Sequence, residues 1–387
     1  MHLDLIQDDD LIAFYAKKLK SAEVDLEMNP IKMEQDTVNS HVLGQGLEEA
    51  FPSPIQSRRP TPKHKFERGD KEWITSFFFL LDNVHIVSGS WDGTMCKWDC
   101  DTGLLVGEPW KGEGGSIHAL ALSPDGKTIA CGRDNGSVQR WDTDGEMMEG
   151  VCTGHSKRVQ SLSWSPSGGH IASGSYDGTI LIRKAESGEV IVGPIKTKHW
   201  MSLAYSPSGD RIASGGGSAT VCIWDSKTGK LLVSPIQTQG FVTSIVWSSD
   251  SSKLYSASSQ FACVLDSVSG IELHRLEHVR YLNALALSPK HNVLACVGDG
   301  GVAQLWDTES HEPLGLPFSQ EDDKRLDCVS FSQDGRYLAH SGENNKITLW
   351  MVENIAPELP VCAFITILQG DKLHSRKLDV SPHHHLA

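Results

Sequence analysis

Through the middle of this chain apolar and polar side chains take turns in short runs, each ended by a turn signal. The stretch from Val159 shows the pattern. Val159, Ser161 and Ser163 alternate with Gln160, Leu162 and Trp164, a period of two that sends successive side chains to opposite faces of a sheet. Pro166 cannot donate to a β-ladder and stops the strand, and Ser167-Gly168-Gly169 supplies the turn. A second strand is predicted at 171–173, a tight turn at Tyr176-Asp177-Gly178 and a third strand at 179–182. After Glu186-Ser187-Gly188 a fourth runs through Val190, Ile191 and Val192.

This phrase occurs seven times between Ile74 and Trp350. Innermost strands are predicted at 117–122, 202–205, 242–247, 282–287 and 328–331, each followed by turn chemistry such as Ser123-Pro124-Asp125-Gly126 or Gln333-Asp334-Gly335. The third strand ends on an anchor: Trp98, Trp141, Arg183, Trp224, Leu265, Trp306 and Trp350, spaced 41 to 44 residues apart. That period belongs to four-stranded propeller blades, each of which buries its faces only against its neighbours. The predicted fold class is all-β, a seven-bladed β-propeller of four-stranded blades, with Arg183 and Leu265 in the slots of two missing tryptophans.

The dipeptides Trp98-Asp99, Trp141-Asp142, Trp224-Asp225 and Trp306-Asp307, the Asp92-Gly93-Thr94 and Asp177-Gly178-Thr179 turns, and the pair Gly154-His155 resemble WD40 repeats. The resemblance covers residues 62–352, and the strings look most like fungal WD40-repeat proteins. It implies a hydrogen-bonded tetrad in each blade: a His before the first strand, a Ser or Thr on the second, an Asp in the next turn, and the anchor Trp. No blade carries the full set. His155 and Asp177 share a blade with Arg183; Trp98 and Asp92 have Asp70 where His would be; Trp306 and His278 have Gly300 at the Asp position; Thr238, Ser259 and Leu265 leave blade 5 without the polar members. Stability is therefore expected from apolar stacking, with Asp177 as the partner for the Arg183 guanidinium.

Three regions are expected: a leader at 1–61, the propeller at 62–352 and an extension at 353–387. Residues 8–20 read as a short amphipathic helix with charges matched to its dipole, and 52–65 as a proline-rich basic linker. Two segments compete to close the ring. Residues 361–368 are the more strand-like by composition, but residues 63–66 stand where the family's N-terminal strand completes the last blade, and linker lengths favour them. Adjacent histidines 383–385 read as a tail without fixed metal geometry.

Composition narrows the chemistry. With 35 Lys+Arg against 49 Asp+Glu the net charge is -14, which disfavours nucleic acid as a partner. No apolar run reaches membrane-spanning length and no basic secretory signal opens the chain, so no membrane contact and a cytoplasmic or nuclear location are expected. The nine cysteines sit singly and recur at repeat positions; Cys131 and Cys296, for example, fall where other blades have Ser88, Ser173 and Ser214. Free thiols are expected. No cluster singles out an acid, base, nucleophile or metal site, so no enzyme and no cofactor are expected.

The remaining candidates lie at one rim, in the loops before inner strands and the turns before third strands: Trp73, Trp91, Arg133, Arg158, Tyr176, Trp200, Phe241, Tyr281 and Arg325. Trp, Tyr and Arg dominate interface hot spots, so this face is expected to bind other proteins or peptides as a scaffold or adaptor. Two alternatives stay open. A substrate receptor of a ubiquitin ligase would carry the family's Trp-Asp-x-Arg docking sequence, which none of the four Trp-Asp sites has; a propeller enzyme would need a convergent carboxylate or histidine cluster in the channel.

Overall fold

The computed structural model describes residues 60–67, 72–197, 201–289, 292–319, 323–357 and 359. Seven antiparallel sheets form the blades. In blade 3 the strands are Val159–Trp164, His170–Ser175, Thr179–Lys184 and Val190–Lys196, numbered from the centre outward. The register places every anchor opposite an Ile or Leu of the second strand: Ile86 with Trp98, Ile129 with Trp141, Ile171 with Arg183, Ile212 with Trp224, Leu254 with Leu265, Leu294 with Trp306 and Leu338 with Trp350. Arg183 and Leu265 thus occupy the expected slots, and Leu265 is buried among Trp247, Leu254 and Val221.

Blade 2 departs from the plan. It has three strands, and isolated bridges from Val138 to Cys152 and from Trp141 to Met147 replace the fourth. Gly145, at φ 96°, turns the chain there; a Cβ on it would lie 2.2 Å from Trp110 Nε1 of blade 1. The close approach of that ring requires glycine.

The N-terminal segment closes the ring. His64–Glu67 pairs antiparallel with Lys346–Met351, Phe66 opposite Ile347. Phe66 is fully buried with Trp98, Ile347 and Leu349, its ring 5.8 Å from that of Trp98. Lys63 Nζ donates to Asp101 of blade 1 at 2.8 Å and to Tyr337 Oη of blade 7 at 2.9 Å, and Lys346 pairs with Glu67 at 2.6 Å. The competing segment, 361–368, lies outside the described residues, as do 8–20, 383–385 and Asp70. A short helix, Val352–Ile355, follows the last strand and packs Val352 and Ile355 beneath blade 7.

The polar network varies from blade to blade. Trp98 Nε1 donates to Ser88 Oγ and Trp224 Nε1 to Ser214 Oγ, both at 2.8 Å. In blades 2, 6 and 7 the same slot holds Cys131, Cys296 and His340. There the Nε1 atoms of Trp141, Trp306 and Trp350 are buried without a partner among the described residues: the Cys131 and Cys296 thiols are weak acceptors, and the His340 ring lies tilted 5.9 Å from that of Trp350 without accepting its N–H. The eight described cysteines are free, and burial pushes the Cys131 thiol up to about 12.

Blade 3 corrects the sequence expectation for Arg183. Asp177 is engaged elsewhere: it receives His155 Nδ1 at 3.1 Å, the Ser156 amide at 2.9 Å and Thr179 Oγ1 at 2.6 Å. His155 Nε2 in turn meets Ser173 Oγ at 2.9 Å. Arg183, 1% exposed, donates from Nη1 to the Thr153 carbonyl at 2.6 Å, while Nε and Nη2 have no partner among the described residues. The short Asp side chain reaches its local turn donors and His155 first, leaving a buried guanidinium held by one carbonyl, its pKa lowered by desolvation.

Three outcomes are expected. Removing residues 1–70 should strip the closing strand and destabilise the whole domain, whereas removing 361–387 should leave the denaturant midpoint within experimental error of the full chain. Arg183→Met should raise stability by about 1–4 kcal/mol in equilibrium denaturation, since an uncompensated buried charge gives way to an apolar side chain of similar volume. The third concerns pH. Burial pushes the His340 imidazole from 6.5 down to about 3 and that of His278 down to about 4. Both stay neutral when folded and take protons when unfolded, so stability is full above pH 6.5. Below that it falls by up to about 1.4 kcal/mol per pH unit for each group until its folded value is reached. Denaturant midpoints between pH 7 and 5 should drop less steeply for His340→Gln.

Candidate partner-binding mouth

Six inner strands share an irregularity that builds the mouth of the ring. The pairing register of each skips one residue near its start: Thr75, His118, Gln160, Thr243, Asn283 and Asp327. A bulge re-aims the extra side chain, and all six line one open cavity. Three of them fasten neighbouring blades. Thr75 Oγ1 donates to the Ile117 carbonyl at 2.8 Å, Thr243 Oγ1 to Leu282 at 2.9 Å and Asn283 Nδ2 to Leu326 at 3.0 Å. The next residue repeats the device in reverse: Ser76, Ser161 and Ser244 accept the amides of Leu120, Leu203 and Leu285 from the following blade.

The rim candidates distribute unevenly around this mouth. Trp73, Trp91, Arg158 and Arg325 line the cavity. The Trp73 and Trp91 rings lie 5.3 Å apart, 41% and 42% exposed, and the Trp91 ring meets His118 edge-on at 6.2 Å. Arg158 stacks over Tyr176 at 4.4 Å, which adds the tyrosine to the group. Phe241 and Tyr281 are exposed at the rim but do not line the cavity. Trp200 lies outside the described residues.

Arg133 requires a correction. It is fully buried: Nε donates to Gln139 Oε1 at 2.9 Å and Nη1 to the Gly93 carbonyl at 2.7 Å. It aligns with Ser90 and Ser175 at the strand end, not with Trp91 and Tyr176 one residue later. One step along a strand reverses the face, so Arg133 ties blade 2 to blade 1 and presents nothing to solvent.

The titratable groups at the mouth are largely matched. His118 Nε2 lies 3.0 Å from Asp134, and burial lowers its pKa. Asp327 lies 2.8 Å from Arg325 Nε, and Glu343 3.8 Å from the same atom; burial raises the Asp327 pKa against the pull of that guanidinium. The six bulge residues do not stand out in the sequence. Their only signal is a polar residue directly after the first apolar position of an inner strand, which strict alternation hides.

Residues 60–99, 106–142, 148–183, 193–225 and 318–351 match the family described as WD domain, G-beta repeat. The chain is 30% identical over 141 residues to Cell division cycle 20.1, cofactor of APC complex, from Arabidopsis thaliana, covering 34% of this chain and 29% of that protein. It is 32% identical over 106 residues to Small ribosomal subunit protein RACK1y from Oryza sativa subsp. japonica, covering 27% and 31%. The chain thus spans less than a third of the length of these relatives. A chain in the Crystal Structure of Mitotic Checkpoint Complex shares the fold at TM-score 0.67 and 19% identity, covering 81% of this chain and 99% of that one. The matched repeats, and the two further blades that the register places between residues 242 and 319, make this chain a member of the WD40-repeat family.

Proposed function

We propose that the chain is a non-catalytic scaffold or adaptor that captures proteins or peptides at the mouth of its propeller, through Trp73, Trp91, Arg158, Tyr176 and Arg325. The observation that carries this reading is the Trp73–Trp91 pair, its rings in tilted contact and left nearly half exposed at the edge of a cavity. Two indoles not used by the core are apolar area held ready for a partner. The hydrogen bond of His118 to Asp134 and the pairing of Asp327 with the Arg325 guanidinium support binding over acid–base chemistry, because each group is already engaged by a neighbour. Relatives named as a cofactor of the APC complex and a small ribosomal subunit protein, and a solved propeller from the Mitotic Checkpoint Complex, support membership of an assembly.

On this reading the propeller at 62–352 is the binding unit, between a leader and an extension, and it works in the cytoplasm or nucleus. Among the described residues no helix is long and apolar enough to cross a membrane. The nearer resemblance to fungal members of the family belongs to the same proposal. The mouth is tested by affinity capture with Trp91→Ala and Tyr176→Ala. Each should weaken partner binding by about 2 kcal/mol or more, with the melting temperature of the domain preserved. Unchanged capture together with a lowered melting temperature would make these residues blade caps and move the binding face elsewhere.

A further inference from the structure

The charges around the mouth are unequal in one respect. Arg325 has Asp327 and Glu343 beside it, and His118 has Asp134. Arg158 lines the same cavity, yet among the described residues no carboxylate pairs with it and its Nε makes no hydrogen bond. Its Cζ sits over the Tyr176 ring, 4.4 Å from the centroid, with the Lys157 ammonium 5.9 Å from that ring on the same loop. Stacking of this kind fixes a guanidinium in orientation without neutralising it. His118 is a close enough neighbour for the Arg158 charge to lower its pKa, although burial is the larger cause; it therefore adds no second positive charge at neutral pH. Beyond His118 stand the Trp91 and Trp73 rings.

Resting on the partner-binding reading above, we propose that the ligand of this mouth is an acidic peptide segment: an Asp or Glu side chain received by Arg158, beside an aromatic or apolar residue laid on the Trp73–Trp91 pair. A carboxylate presents two oxygens in the plane that a guanidinium fork matches. An uncharged amide would leave the cation uncompensated, and a lysine would meet it as a like charge. The net charge of -14 does not forbid an acidic ligand. At physiological salt exposed charges farther than about 8 Å are largely screened, so the nearest charge decides, and at this corner of the cavity it is Arg158.

The test uses the full chain and short fluorescein-labelled peptides with a central Phe and one neighbouring position carrying Glu, Gln, Lys or phosphoserine, read by polarisation. The Glu peptide should bind at least tenfold more tightly than the Gln peptide, and the Lys peptide should not bind. Raising sodium chloride from about 0.05 to 0.5 M should reduce the preference for Glu. Arg158→Gln should abolish the difference between Glu and Gln, and Arg158→Lys should restore part of it. The comparison of peptides on the unsubstituted chain stands even if a variant folds poorly. Equal binding of Glu and Gln peptides, both lost in Trp91→Ala, would overturn the acidic ligand while leaving the mouth as the binding face. Preference for phosphoserine over Glu would overturn it in favour of a phosphopeptide. No binding of any peptide, with partner capture insensitive to both Arg158→Gln and Trp91→Ala, would overturn the acidic ligand and the binding face together.

Discussion

Each blade can hide its two faces only against the blades beside it, so the whole ring depends on the pairing that joins its ends. His64–Glu67 supplies that pairing, and Phe66 shows its reach. The ring is buried by Trp98 of blade 1 together with Ile347 and Leu349 of blade 7. Lys63 bonds to both of these blades. Losing the strand would uncover the outer edge of one sheet and loosen the core between two. Because neighbour burial propagates around a closed array, the damage would not stay local. Hydrogen bonds between adjacent inner strands, such as Thr75 to Ile117 and Asn283 to Leu326, repeat the same dependence at smaller scale.

A ring held by shape tolerates chemical variation inside each slot. The anchor position accepts Trp, Leu or Arg, and the second-strand position accepts Ser, Cys or His, without a change in register. Each exchange has a local cost. Among the described residues, Cys131 and Cys296 leave two indole N–H groups unpaired, and His340 leaves its own Nδ1 and the Trp350 N–H unpaired. A buried unsatisfied donor costs about 1–3 kcal/mol, and a buried guanidinium held by one carbonyl costs more. Such losses are sustainable where the apolar faces on either side remain filled, as they are around Ile171, Ile180 and Ile182 of blade 3, all essentially fully buried.

The fold was legible because its causes are local and periodic. Alternation, prolines and Asp-Gly turns mark strands without reference to distant residues, and seven phased copies carry the assignment through the weak anchors at Arg183 and Leu265. Closure was legible from the length of the linker after Trp350. The site was legible only in part. Trp73, Trp91, Arg158, Tyr176 and Arg325 gather at one mouth, but Arg133 turned inward because strand end and turn differ by one residue, enough to reverse a side chain. The Arg183–Asp177 pairing failed for another reason: closeness does not decide which of several donors a short carboxylate accepts. Bulges were invisible because they are a property of pairing between strands, and no single strand's pattern reports them.

Those bulges explain why chemistry gathers where it does. A residue on the regular ladder points into a blade interface and must be apolar or small, as Ile117, Val159, Val242 and Leu282 are, all essentially fully buried. The bulged residue beside it is released from that demand and faces the channel, so it can be Thr, His, Gln, Asn or Asp at no cost to packing. Three of the six are consumed in fastening blades, at Thr75, Thr243 and Asn283. His118 and Asp327 are committed to neighbouring charges. The corner formed by blades 1 to 3 keeps a stacked guanidinium and two exposed indoles that no internal contact requires. On the proposed reading, selectivity is concentrated in this sector, because outside it Thr243 and Asn283 are taken up in fastening blades and Asp327 in its pairing with Arg325.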